Sequence, residues 1–195
     1  GGIRNDGNLK LINSTLSGNN ATASGGGLVN TVDINQIPNI VRATATIQNR
    51  TITKNTAGSE LASGVANVGN LIASNSIIAD NTNNDDIRNK FSVNPFEGIT
   101  TSDGYNLIGN GEGTSFTNGT NGDIVGTSAN PIDAKLGSLQ DNGGLTQTHA
   151  LLNGSPAVNA GSNNNIAEDG FDLDGDSDTT ETLPFEQRGE GFERI

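Results

Sequence analysis

Apolar and polar positions alternate through the first 81 residues, and the alternation recurs. Leu9 and Leu11 precede Asn13, Ala45 and Ile47 precede Asn49, and Leu71 and Ala73 precede Asn75. Period two predicts a strand with one face inward. A shorter strand is predicted upstream of each, where Ile3, Leu28 and Val65 stand two residues before Asn5, Asn30 and Asn67. Downstream, Leu16, Ile52 and Ile78 stand three residues after Asn13, Asn49 and Asn75. The inward phase resets there, so the chain has to turn a corner. Helical solenoids need longer apolar runs at 3.6 spacing, and none occurs.

Asparagine frames the repeat. Asn13-Ser-Thr-Leu-Ser-Gly-Asn19 returns as Asn49-Arg-Thr-Ile-Thr-Lys-Asn55 and as Asn75-Ser-Ile-Ile-Ala-Asp-Asn81. Asn5 and Asn30 are 25 residues apart, and Asn30 and Asn67 are 37 apart, or about 26 without an insertion of about 11 residues. A period near 25 with three short strands per turn predicts an all-β solenoid, a parallel β-helix. At a corner Asn tolerates the left-handed backbone that β-branched residues avoid. Stacked on its copy in the next coil, its amide can both donate and accept, so Asn13, Asn49 and Asn75 are expected to stack, with such amides forming a ladder. Residues 1–81 are therefore read as three coils, with an insertion near 31–42 projecting from a corner of the second. That insertion carries Ile34, Ile37, Ile40 and Val41, and is expected to fold back over the flank.

The repeat fades over 82–195, although Asp85-Asp86-Ile87 can begin a fourth coil. Tyr105-Asn-Leu-Ile108 reads as a strand, residues 109–123 as a long surface loop, Ile124-Val125 as a short strand, and 131–161 as a turn-rich C-terminal cap. Hydrophobic content of 31% looks low, but 27 glycines bring a count that includes Gly close to the ordinary soluble range of about 45–50%. A narrow solenoid interior needs few aromatics. Without cysteine there is no disulfide, thiolate zinc site or Cys nucleophile. No apolar run approaches the roughly 20 residues of a membrane helix. The chain begins within a repeat, at Gly1-Gly2-Ile3, which leads us to expect upstream coils of the same polypeptide as its neighbours.

The net charge of −12 is uneven: residues 1–81 carry +1 and residues 82–195 carry −13. That polarity argues against nucleic acid or an anionic membrane as partner of the C-terminal part, and suits extracellular life or cation binding.

The order Ser76-Ile-Ile-Ala-Asp-Asn81, Gly104-Tyr-Asn-Leu-Ile108, Leu136-Gly-Ser-Leu139, Asp141-Asn-Gly-Gly144, Thr148-His-Ala-Leu-Leu152, Gly154-Ser-Pro-Ala157, Gly161 and Gln187-Arg-Gly189 resembles the choice-of-anchor Q domain. The likeness covers about residues 60–195. The upstream coils resemble the Asn- and Gly-rich repeats of polymorphic outer-membrane and pectate-lyase-like proteins. The chain departs from the domain's usual pattern at Asn159 and Glu186, where Asp is frequent, and near Leu145 and Gln147, where Pro is frequent. The resemblance implies a right-handed, single-stranded parallel β-helix with an irregular C-terminal cap, on a secreted or cell-surface bacterial protein. It implies a non-catalytic structural or adhesive module, with extracellular glycans or surface proteins as partners.

Candidate chemistry is sparse. His149, the one histidine, is read as a structural residue, and no Ser-His-Asp arrangement has supporting spacing. The enzyme alternative is a polysaccharide lyase or glycoside hydrolase acting on acidic glycans, its site mostly upstream. A glycosidase needs two carboxylates about 5–10 Å apart, and the acids of residues 1–81 do not align between coils. Arg50 and Lys54 are expected to face outward on one coil. A flat ligand-binding face would need regular threonine rows, and Ile77 interrupts the column of Thr15 and Thr51. The acidic loop 168–181 places seven carboxylates in fourteen residues. Asp172, Asp174, Asp176 and Asp178 alternate and Glu181 follows, an oxygen-only donor set suited to Ca²⁺. The start resembles an EF-hand or thrombospondin-type loop, but Gly175 stands fourth rather than sixth and Glu181 tenth rather than twelfth. The alternative is a solvated acidic loop.

Overall fold

The computed structural model describes residues 1–33, 41–58, 62–82, 86–89 and 97–192. The first coil consists of β1 (Ile3–Asn5), β2 (Asn8–Ile12) and β3 (Thr15–Ser17). The second has β4 (Leu28–Asn30), β5 (Val32–Asp33), β6 (Val41–Arg42), β7 (Thr44–Gln48) and β8 (Thr51–Thr53). The third has β9 (Val65–Asn67), β10 (Asn70–Ser74) and β11 (Ile77–Ile78), and a fourth has β12 (Ile87–Arg88), β13 (Ile99–Gly104) and β14 (Leu107–Ile108). A fifth, partial turn contributes β15 (Ile124–Val125). Strands of successive coils pair in parallel to give three sheets, ordered β1-β4-β9-β12, β2-β7-β10-β13 and β3-β8-β11-β14-β15. The described strands thus form an all-β, parallel-sheet solenoid whose coils continue beyond residue 81.

The register is the one the spacing predicts. Leu9 pairs with Ala45 and Leu11 with Ile47; Leu71 pairs with Ala45 and Ala73 with Ile47. A large side chain in one coil meets a small one in the next, which lets neighbouring layers interlock in a narrow interior. Ile47, Ile52, Leu71 and Ile78 are fully buried and Leu16 nearly so, whereas Leu9 and Leu11 are half-buried against the same cluster because their coil forms its edge. Tyr105 and Asn106 are a corner between β13 and β14, so the expected strand narrows to Leu107–Ile108. Residues 109–123 differ from the expected surface loop. Phe116 turns inward, 5% exposed, and joins the core cluster.

Asparagine performs two separate jobs at different positions. Asn13, Asn49 and Asn75 take φ of 45°, 54° and 47°, as expected of left-handed corners, and Tyr105 holds the same corner in the fourth coil at 60°. Their amides form no ladder. Asn13 donates to the carbonyl of Phe185, and Asn75 donates to that of Ser162, both on the C-terminal segment. The ladders are inside. Asn5 donates to Asn30, Asn30 to Asn67 and Asn67 to Asn89, at 2.8–2.9 Å. A second ladder runs from Asn19 to Asn55 to Asn81 and ends on the carboxylate of Asp86. Each amide donates toward the next coil, so the last position needs only an acceptor, and a carboxylate supplies it.

The insertion opens as a short antiparallel stem, β5 against β6, with Val41 58% exposed. Ile34, Ile37 and Ile40 lie outside the described residues. After β15 the chain does not form a plug over the last coil. It turns back along the outer side of the third sheet. Its hairpin, β16 (Leu136–Gln140) with β17 (Thr148–Leu151), is antiparallel. It reaches the first coil through three side-chain hydrogen bonds. Ser17 Oγ meets His149 Nε2 at 2.8 Å, Thr15 donates to Gln187 at 2.8 Å, and Asn13 donates to Phe185 at 3.0 Å. The expected cap is a strap.

The strap explains the interrupted threonine column. Thr15, Thr51, Ile77, Leu107 and Ile124 are successive outer positions of the third sheet. Ile77, Leu107 and Ile124 pack under Ala134, Ile132, Leu136 and Ala157 in a second apolar cluster. Thr15 and Thr51 instead face an open groove.

Candidate functional site

That groove, of about 580 Å³, lies between the corners of the first three coils and the strap. Asn13, Asn49 and Asn75 line one side, and His149, Gln187 and Arg188 the other. The volume falls in the range of small-molecule sites, about 300–1,000 Å³.

Arg50 is part of it, and not as an outward-facing residue. Its side chain is only 5% exposed. Its backbone N–H donates to Ser76 Oγ, which places it in a column of corner residues. Nη2 donates to the carbonyl of Ile12 at 2.8 Å, while Nε is buried with no hydrogen-bond partner among the described residues. No carboxylate pairs with it there, and burial pulls its pKa down to about 10. A buried cation without a counter-charge is costly to keep. Asn49 Oδ1, on the preceding residue, is likewise buried and unpartnered. Glu186, also at the groove, is paired with Arg188, whose guanidinium stacks on Phe192 at 4.1 Å. Lys54 behaves differently from Arg50: it is exposed and forms an ion pair with Asp80 at 3.6 Å.

His149 is held at both ring nitrogens. Nδ1 lies 2.7 Å from the carbonyl of Gly137 and Nε2 lies 2.8 Å from Ser17 Oγ. A carbonyl only accepts, so Nδ1 carries the proton and Nε2 accepts from the serine. The ring ties hairpin to coil. A carbonyl stands where a triad would have its carboxylate.

The second candidate is the acidic loop. Its neck is closed by paired backbone, with Asp169 N–H donating to the carbonyl of Glu181 and Leu183 N–H to that of Ala167. The neck brings Asp169, Asp174 and Glu181 together, each offering an oxygen within 4.8 Å of the others. Asp172, Asp174 and Asp176 form a second such group. Either set could hold a metal ion. Asp178 joins neither; its carboxylate accepts from the backbone and hydroxyl of Thr180. Sequence reasoning missed Asp169, which is fully buried and accepts from Leu173 N–H at 2.7 Å. It lies outside the alternating Asp run, and only the pairing of the neck brings it to Glu181. Glu181 Oε1 is buried with no hydrogen-bond partner among the described residues. Burial, followed by the charges of Asp174, Asp176, Asp178 and Asp169, raises its pKa above the ordinary range. An all-oxygen set with an unpartnered carboxylate oxygen fits a hard cation such as Ca²⁺.

No protein-family model, curated protein or solved structure matches the chain. None of the helices formed by the described residues is long and apolar enough to cross a membrane.

Proposed function

We propose that the chain is a right-handed parallel β-helix segment serving as a non-catalytic structural and adhesive module of a secreted or cell-surface bacterial protein. Right-handedness follows from the general rule for parallel crossovers, which are right-handed in about 98% of cases. The observation that carries the functional reading is the strap. Residues 149, 185 and 187 are bonded to the first coil across separations of 132 and 172 residues, tying the last part of the chain to the first. Such a tie resists unwinding from one end, the failure to which solenoids are prone. The unpaired edges of β1, β2 and β3, with Ile3, Leu9 and Leu11 half-buried beside them, suit a further coil stacked there.

In this reading the loop 168–181 takes Ca²⁺ and stiffens the end of the strap. An extracellular-type affinity, roughly 10⁻⁴–10⁻³ M, at 100-fold excess over Kd adds about 2.7 kcal/mol, or about 5–10 °C in Tm at this size. Melting in EDTA and in CaCl₂, beside Asp174→Asn and Asp169→Asn, tests it. Equal Tm in both buffers leaves a solvated loop.

The groove, with Arg50 and His149 beside it, is what favours the second reading, a lyase or glycosidase on acidic glycans. Incubation with pectin and alginate separates the two. Unsaturated products absorbing near 235 nm, or new reducing ends, would replace the non-catalytic reading.

A further inference from the structure

We propose that the groove beside the strap is a binding site for an acidic sugar, with Arg50 receiving the carboxylate and Asn49 a neighbouring hydroxyl. The inference deepens the adhesive reading above and rests on it.

Three observations converge. Arg50 is a cation 5% exposed, with its Nε unpartnered and no carboxylate bonded to it among the described residues. Asn49 Oδ1, from the adjacent residue of the same corner, is a buried acceptor without a donor. The lining carries Arg50 and Arg188 against Glu186, so the groove is net positive on a chain of net charge −12. A negative molecule that concentrates positive charge in one concave place repels anions elsewhere and receives them there.

The two orphaned atoms specify more than an anion. One is a donor on a cation and the other a neutral acceptor. A simple carboxylate or sulfate satisfies the first and leaves the second unpaired, which has a cost when the group is buried. A ligand bearing a carboxylate next to a hydroxyl satisfies both, and a uronic acid has that pattern. The remaining lining is suited to sugar hydroxyls: the side-chain amides of Asn13, Asn75 and Gln187 each offer donors and an acceptor, and Thr15 and Thr51 form the floor. The groove is open along the flank, so it fits an internal unit of a chain as well as an end.

The test is titration calorimetry on the full chain with a galacturonate trisaccharide, a neutral glucose trisaccharide, and acetate. The deciding variant is Asn49→Asp. It supplies the counter-charge that Arg50 lacks and removes nothing from the core, and aspartate tolerates the left-handed corner. We expect the galacturonate oligomer to bind, at least about tenfold more tightly than either control. Asn49→Asp should abolish this binding while Tm stays level or rises. Arg50→Gln should also lose binding; if that variant fails to fold, Asn49→Asp still decides. Equal affinity for acetate would mean a generic anion site, and unchanged binding by Asn49→Asp would place the ligand elsewhere. Either overturns the proposal. Binding followed by cleavage would leave the site standing and remove the non-catalytic reading. No binding and no cleavage would remove the site and leave the module.

Discussion

The solenoid and its strap are held by different physics, although they touch along one face. In the solenoid, equivalent residues of successive coils meet in register: Leu16, Ile52, Ile78 and Ile108 form one column, and Asn30 and Asn67 are fully buried links in another. Each position is repeated, so each contact is supported above and below. In the strap, single side chains meet unrelated partners, as His149 does with Ser17 and Gln187 with Thr15, and these contacts are only part-buried. Repetition therefore carries the stability, and one-off contacts carry what is particular to this protein: the groove, the acidic loop and the long-range tie.

The largest effect that separates the two regions should come from the interior. Ile52→Ala empties a fully buried position between Leu16 and Ile78. We expect a loss of about 2–5 kcal/mol, measured by urea unfolding. A loss below about 1 kcal/mol would mean that the column is loosely packed and that the contrast with the strap is false.

Next comes the inner ladder. Asn67→Ala leaves Asn89 Oδ1 and the carbonyl of Ile99 without their donor. Two orphaned buried acceptors at about 1–3 kcal/mol each predict roughly 2–4 kcal/mol. Asn13→Gly is the outside counterpart, since glycine accepts φ of 45° and the hydrogen bond to Phe185 is part-buried. We expect it to cost under about 1 kcal/mol. Equal costs at the two asparagines would erase the distinction between ladder and corner.

How much of this was legible follows from the same contrast. Coil register, corners and inward residues could be read because a pattern that recurs every 25 or so residues tests itself. Asp86-Ile87 was legible as a fourth coil by that token. The strap had no second copy. Nothing in Thr148-His-Ala says that its partner is Ser17, because contact at a separation of 132 residues leaves no local pattern. The burial of Arg50 was hidden for the same reason: its coil suggests an outward position, and the strap that covers it comes from the far end of the chain. Ile77 reads as a flaw in a threonine column until Ala134 and Ala157 cover it. The two jobs of asparagine were merged because sequence shows the residue and not the direction of its amide.

Asp86 gives a pH test of the interior. It is 1% exposed, and burial raises its pKa to about 6, against hydrogen bonds from Asn81 and Asn110 that lower it. In the unfolded chain an aspartate titrates near about 3.9. The folded state thus holds the proton more tightly, so this group's contribution is fully present below about pH 4 and is lost as pH rises through about 6. A shift of that size corresponds to up to about 2–3 kcal/mol. Asp86→Asn removes the titration. The stability difference between wild type and Asp86→Asn should move in favour of wild type as pH falls from 7.5 to 4.5. A difference that is flat across this range would show that Asp86 is not held in a dry interior.

The smallest global effect belongs to the strap, and it sharpens the comparison most. His149→Ala removes two part-buried hydrogen bonds, to Ser17 and to Gly137. Neutral bonds of this kind contribute about 0.5–1.5 kcal/mol each, and water can replace a partner at the groove. We therefore expect about 1 kcal/mol or less in global unfolding. The local effect should be larger. A segment fastened by single contacts opens separately from a core fastened by stacking, so its amides exchange through a cheaper, sub-global opening. In His149→Ala, hydrogen exchange should accelerate across β16 and β17 and stay unchanged in β8, two coils' width of repeated contacts away from any loss. His149→Gln keeps a donor and an acceptor at the position and should restore part of the protection. If β8 lost protection in step with β17, strap and solenoid would be one cooperative unit, and the division between repeated and one-off contacts would have no thermodynamic meaning.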